Sequence, residues 1–273
     1  STKIGSNDLD ELIIECFKNL NTSRVSLTLK TQSLVKFNFH SYSSLSNLLS
    51  CYNIYKNFML LFFGYFEQFK SIKLSLKNNS SFELYYNDRF TQTKINSIYG
   101  LLFSDIIKEY LKLLKNWFKD EPLRFVCSSV IDNIIYSSMN PHKRFLNSYY
   151  SLEGWLKFSL KKDKIKLKKD VSIIKEDFLL LSGLNSVQFD KFIVKCIRHR
   201  DHYVHNKANQ KQIFKETEAS KASRLFEYVL MVQILKKLDC SKELLETAIN
   251  KFSYKYKNSR YDFSEYMRVD GKL

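Results

Sequence analysis

Apolar residues along this chain recur mostly every three to four positions, with a different rhythm confined to its first quarter. Leu9, Leu12, Ile13, Phe17 and Leu20 read as a short amphipathic helix or an irregular lead-in over residues 7 to 20. Strict alternation then sets in: Val25, Leu27 and Leu29, followed by Leu34, Val35, Phe37 and Phe39. With Lys30-Thr31-Gln32-Ser33 as the turn, this reads as a β-hairpin with one buried face. A helix follows to about Phe63, apolar on most sides through Leu48, Leu49, Ile54, Phe58, Leu61 and Phe62, and Gly64 breaks it. Ile72 to Leu76 and Phe82 to Tyr86 read as two short strands joined by a polar turn, and residues 88 to 103 as a linker or a crossing segment. From Ser104 onward the period is helical to the end.

Punctuation divides that second part. Ile106, Ile107, Tyr110, Leu111, Leu113, Leu114 and Trp117 form one stripe. Pro122 sits where a first-turn proline is tolerated and opens a helix to about Ser138. Asn140-Pro141 starts another to about Leu160, with Phe145, Leu146, Tyr149, Leu152, Trp155 and Leu156 inward and Glu153 beside them. A basic run from Lys157 to Lys169 follows, with Asp163 as its only acid. Residues 171 to 184 stop at Gly183, and Asn185 or Ser186 caps the next helix. The last two helices run from about Glu216 to Leu238 and from Ser241 to about Phe252. The pattern therefore predicts an α+β protein, with a β-containing region over 1–103 and an all-α bundle over 104–273.

Composition agrees with helices, since the chain of 273 residues has only 6 Gly and 2 Pro. Its formal charge of +16 favours a polyanionic partner, RNA first, although a Lys- and Asn-rich chain also fits an AT-rich genome. The five cysteines stand apart without metal-ligand or framework spacing, which points to a reducing, cytoplasmic setting. No signal-peptide pattern is visible, and the most apolar run, Phe58 to Phe66, is far below the roughly 20 residues that span a bilayer, so no membrane partner is expected. Walker-type and dinucleotide-binding glycine loops are absent.

The chemistry concentrates between residues 191 and 207. Phe192, Ile193, Cys196 and Ile197 define a buried stripe, and the same helix then ends in Arg198, His199, Arg200, Asp201, His202 and His205. Imidazole exchanges protons near neutral pH, and guanidinium offers a planar fork to phosphate oxygens. Together they are a minimal set for phosphodiester cleavage. Arg200 and His205 lie about 140° apart on an ideal helix, so they share a face only if the helix end distorts or a second subunit completes the site. Arg198 and Asp201 both share a face with His205.

The run Arg200-Asp201-His202-Tyr203-Val204-His205 resembles the R-x4-6-H signature of HEPN-domain ribonucleases. Asn116-Trp117-Phe118, Arg144-Phe145-Leu146 and Leu152-Glu153 precede it in the order seen in ApeA-like antiphage proteins, and the similarity is clearest over roughly residues 104 to 240. The resemblance implies a homodimeric helical bundle with a composite cleft, and metal-independent RNA cleavage by the 2′-hydroxyl in bacterial defence, with no cofactor. It implies His205 as acid/base, Arg200 as the phosphate-stabilising cation and Asp201 as orienting group. Arg198 also fits the looser spacing to His205. Arg198, His202, Lys207, Lys161 and Lys162 are the expected RNA contacts.

Other readings of the same residues stand beside this one. A basic helix end also complements the helix dipole. His199, His202 and His205 with Asp201 form a weak candidate zinc set, because residues six apart face different sides of a helix. A non-catalytic RNA-binding or dimerisation module would share the bundle without the chemistry.

Overall fold

In the computed structural model, the described residues are 45–64, 101–136, 139–205 and 213–258. Of these, 84% are helical, and none belongs to a strand or sheet. The expected α+β architecture is overturned: the described body is all-helical. Elsewhere only the backbone course of four strands is drawn, as two separate antiparallel pairs, Leu9–Thr22 with Leu27–Phe39 and Ile72–Ser75 with Ser81–Leu84. An isolated two-stranded ribbon makes no layer on which a core can be built, so helices supply the core. Two details of the first hundred residues also change. Residues 9–20 of the stretch read as a helix or an irregular lead-in run as a strand, and the expected turn at Lys30–Ser33 lies inside its partner strand. Of the linker or crossing segment read over 88 to 103, residues 88–100 lie outside the described residues.

The helices are α1 Leu45–Phe63, α2 Phe103–Ile106, α3 Tyr110–Lys119, α4 Glu121–Ile135, α5 Pro141–Leu160, α6 Leu167–Asp170, α7 Lys175–Ser182, α8 Ser186–His205, α9 Glu216–Lys237 and α10 Lys242–Lys257. Caps explain most of the boundaries. The Asp120 carboxylate accepts from the Leu123 amide at the start of α4, and Asn140 accepts from the His142 and Lys143 amides at the start of α5. Ser241 does the same for Leu244 at α10. Each cap satisfies amides that the first turn leaves without partners.

Helix α9 is the axis of the bundle. Every residue from Leu225 to Leu235 is buried, although the sequence pattern predicts only one inward face. α9 packs against α5, α7 and α10, and α4 covers the other side of α5. Helix α1 belongs to the same core: it packs on α3 and α4, and the Trp117 Nε1–H donates to the Ile54 carbonyl at 2.9 Å. Phe226 of α9 touches the rings of Phe145, Tyr149, Phe178 and Phe192, at centroid distances of 5.7 to 6.2 Å, and so joins α5, α7 and α8. These aromatics form the floor beneath the C-terminal half of α8.

Candidate active site at the end of helix α8

Helix α8 begins with a reciprocal cap. The Gln188 amide donates to Asn185 Oδ1, and the Asn185 amide donates to Gln188 Oε1, both at 2.9 Å. Phe189, Phe192, Ile193 and Cys196 face the core, and Ile197 is half-buried. Burial pushes the Cys196 thiol well above its ordinary range, so it is an inert packing group.

The buried stripe continues one step further than the apolar pattern shows. His199, three residues after Cys196, is fully enclosed. The Phe214 amide donates to His199 Nδ1 at 3.1 Å, which places the proton of the neutral ring on Nε2. That N–H then donates to His142 Nδ1 at 3.2 Å. His142 in turn stacks on Tyr203, with centroids 4.7 Å apart and planes within 23°. Burial first, then the neighbouring His142, His202 and Lys195, lowers the His199 pKa to about 3. Its neutral form is therefore built into the fold.

The linkage has a definite sign. An imidazole whose folded pKa lies below its unfolded value of about 6.5 binds its proton preferentially in the unfolded chain. Stability is expected to fall as pH drops from about 6.5 towards 3, by about 1.4 kcal/mol for each tenfold displacement of the proton equilibrium. Urea denaturation across that range measures this. His199→Gln keeps a polar partner but does not titrate, and its stability profile should be flatter than that of the parent protein.

Arg200 lies next to this buried ring and turns towards α5. Its Nη1 donates to Asp201 Oδ1 at 2.7 Å and its Nη2 to Glu153 Oε1 at 3.4 Å. The guanidinium also lies over the Tyr149 ring, 5.4 Å from its centroid. Burial opposes the charge, but Tyr149, Glu153 and Asp201 more than offset it and hold the Arg200 pKa above its ordinary value. Its buried Nε has no hydrogen-bond partner among the described residues. The cation is thus oriented and not saturated.

The remaining candidates occupy distinct places. His205 ends α8 and is exposed. Asp201 is bound to Arg200 and, among the described residues, not to His205, despite their helical spacing. His202 meets Tyr203 edge-on at 5.0 Å, and Arg198 is exposed. Lys161 is exposed, and Lys162 pairs with Asp170 at 2.7 Å. Lys207 lies outside the described residues. The three α8 histidines do not converge, since both ring nitrogens of His199 are engaged in the core. Among the described residues no group of three His, Cys, Asp or Glu is placed to hold a metal ion.

The structure thus brings Arg200, Asp201, Glu153 and Tyr149 together and leaves His205 on another side of the same helix end. Sequence reasoning passes over the His142–His199 pair. The available signal was positional: His199 follows Cys196 by three residues and Phe192 by seven, on the buried face.

Comparison with family models, with curated proteins and with solved structures finds no match. None of the three identifies a HEPN or ApeA-like family. The described residues contain no helix long and apolar enough to cross a membrane.

Proposed function

We propose that this protein is a metal-independent endoribonuclease of the HEPN type, acting as a homodimer. The observation that carries the reading is Arg200. It is a charged guanidinium held in one orientation by Glu153, Asp201 and Tyr149, on the helix end that also exposes His205. A ribose 2′-hydroxyl, losing its proton to a base, attacks the adjacent phosphorus. The O2′–P bond forms, the P–O5′ bond breaks, and the leaving 5′-oxygen takes a proton. His205 exchanges these protons and Arg200 stabilises the charged phosphorane. The angular gap between the two residues along α8 requires a second copy, whose α8 end completes the cleft. The family resemblance supports a role in antiphage defence.

One observation favours a second reading. Two carboxylates already pair with Arg200, as they would in a non-catalytic RNA-binding module of the same shape. Fragment ends separate the two. Purified protein incubated with RNA should yield 2′,3′-cyclic phosphate and 5′-hydroxyl termini, equally with and without EDTA, and should elute at twice the 32.5 kDa of one chain. Salt-sensitive binding without new termini would favour the module, and loss of cleavage in EDTA would reject the stated chemistry.

A further inference from the structure

The connection between α5 and α7 carries an arrangement that the catalytic centre does not use. Lys157, Lys161, Lys164, Lys166, Lys168 and Lys169 are all exposed. None of their ammonium groups has an ion pair or hydrogen bond among the described residues. Lysines elsewhere on the bundle are often paired, as Lys112 is with Asp239, Lys195 with Glu218, Lys236 with Asp177 and Lys251 with Asp105. Unpaired positive charge is thus concentrated on one segment.

That segment is also fastened. Asp170 is 6% exposed and closes the loop on itself. It accepts from Lys162 Nζ and from the Lys166 amide, each at 2.7 Å. The Lys162 hydrogen bond first, then that amide, holds the Asp170 carboxyl below its usual range. Lys162 is therefore a tether, and its neighbours are the free charges. At the start of the loop Lys161 adopts the left-handed conformation, φ 52°, as the amides of Lys161 and Lys162 both donate to the Lys157 carbonyl. Glycine is the usual residue there, because a Cβ costs about 1 kcal/mol in that conformation. A lysine occupies a position at which local backbone energetics favour glycine.

From these observations we infer that the Lys157–Lys169 segment is a preorganised clamp for the phosphate backbone of RNA, binding without regard to base sequence. The identity of the polyanion rests on the ribonuclease reading above; the clamp itself does not. A fixed loop loses little conformational freedom when it meets a charged strand, and each phosphate neutralised by a lysine releases condensed counterions. The contacts are then visible as salt dependence.

The test is binding, measured apart from cleavage. The probe is a short 2′-O-methylated oligouridylate, which has no free 2′-hydroxyl, and its anisotropy is followed over a salt series. The full chain is compared with Lys161→Gly/Lys164→Ala/Lys168→Ala, after circular dichroism has confirmed equal helix content. The variant should bind about tenfold or more weakly, with the slope of log affinity against log salt reduced by about 2 to 3. Lys161→Gly alone should be as stable as the parent or more so, and should still reduce the slope by about 1. An unchanged slope in the triple variant overturns the clamp. So does loss of stability in Lys161→Gly, which would make that lysine a structural part of the turn. Phosphatidylserine vesicles bound by the parent and released by the variant, with oligonucleotide binding unaltered, would assign the loop to a membrane surface instead. The catalytic reading is decided by the termini of RNA cleaved by the parent protein and not by this binding series, so failure here and failure of the catalytic reading give different results.

Discussion

Replacing His205 or Arg200 with alanine should reduce RNA cleavage by about 100-fold to 10,000-fold while leaving helix content and dimer mass unchanged, the range expected when a proton-transfer or charge-stabilising group is removed. The separation of fold from activity follows from position. His205 is exposed at the last turn of α8, and Arg200 is half-buried beside Glu153, Asp201 and Tyr149, whereas α8 is anchored by Phe189, Phe192, Ile193 and Cys196. Single-turnover cleavage of a labelled RNA at saturating protein measures the loss. Mixing the two variants adds a sharper test. In a mixed dimer one chain retains Arg200 and the other retains His205. If the cleft is shared across the twofold axis, activity should return in the mixture. Undiminished cleavage by either single variant removes the pair from the mechanism.

The second large effect is on stability. Arg144 reaches Glu227 with two bonds, Nε–H to Oε1 at 3.0 Å and Nη2–H to Oε2 at 2.8 Å, deep between α5 and α9. Glu227 is fully buried, and Asn133 and Ser148 donate to the same Oε1. Glu227→Ala would remove the carboxylate that takes two bonds from a nearly enclosed guanidinium, which costs about 3 to 5 kcal/mol when a buried pair is broken. A loss of that size approaches the whole stability of a typical domain. The urea midpoint should fall sharply, or the variant should fail to accumulate as folded protein. Glu227→Ala combined with Arg144→Met removes both charges together and should recover a substantial part of the loss, because the cost lies in the charge left behind. Equal destabilisation in the single and double variants would show that cavity formation, and not charge, sets the penalty.

Helix positions were largely legible in the sequence, and tertiary partners were not. The Asn140-Pro141 start of α5, the Ser241 cap of α10 and the limits of α9 follow from local rules of capping and periodicity. The overturned architecture has a physical cause. Alternation identifies an extended segment but not whether more strands join it, and each sheet here stops at two strands. Long-range pairing was equally hidden. Arg144 reads as one more basic residue on a helix, and only the approach of α9 shows that Glu227 neutralises it. At the candidate site, Glu153 was visible beside the apolar face of α5, but its contact with Arg200 depends on how α8 crosses that helix. His199 reads by residue type as one of its charged neighbours, and its position on the helical wheel sets it on the buried face.

The enclosure of α9 bears on how small the molecule can be made. Phe226 supports α5, α7 and α8 at once, and it arrives in the chain only after the motif helix is complete. A peptide ending at His205 would carry every proposed reactive group but not Phe226, which joins the helices around them. During synthesis the reactive end of α8 therefore leaves the ribosome before it can be assembled. Residues 213–258 must therefore emerge before the support beneath that helix end is complete.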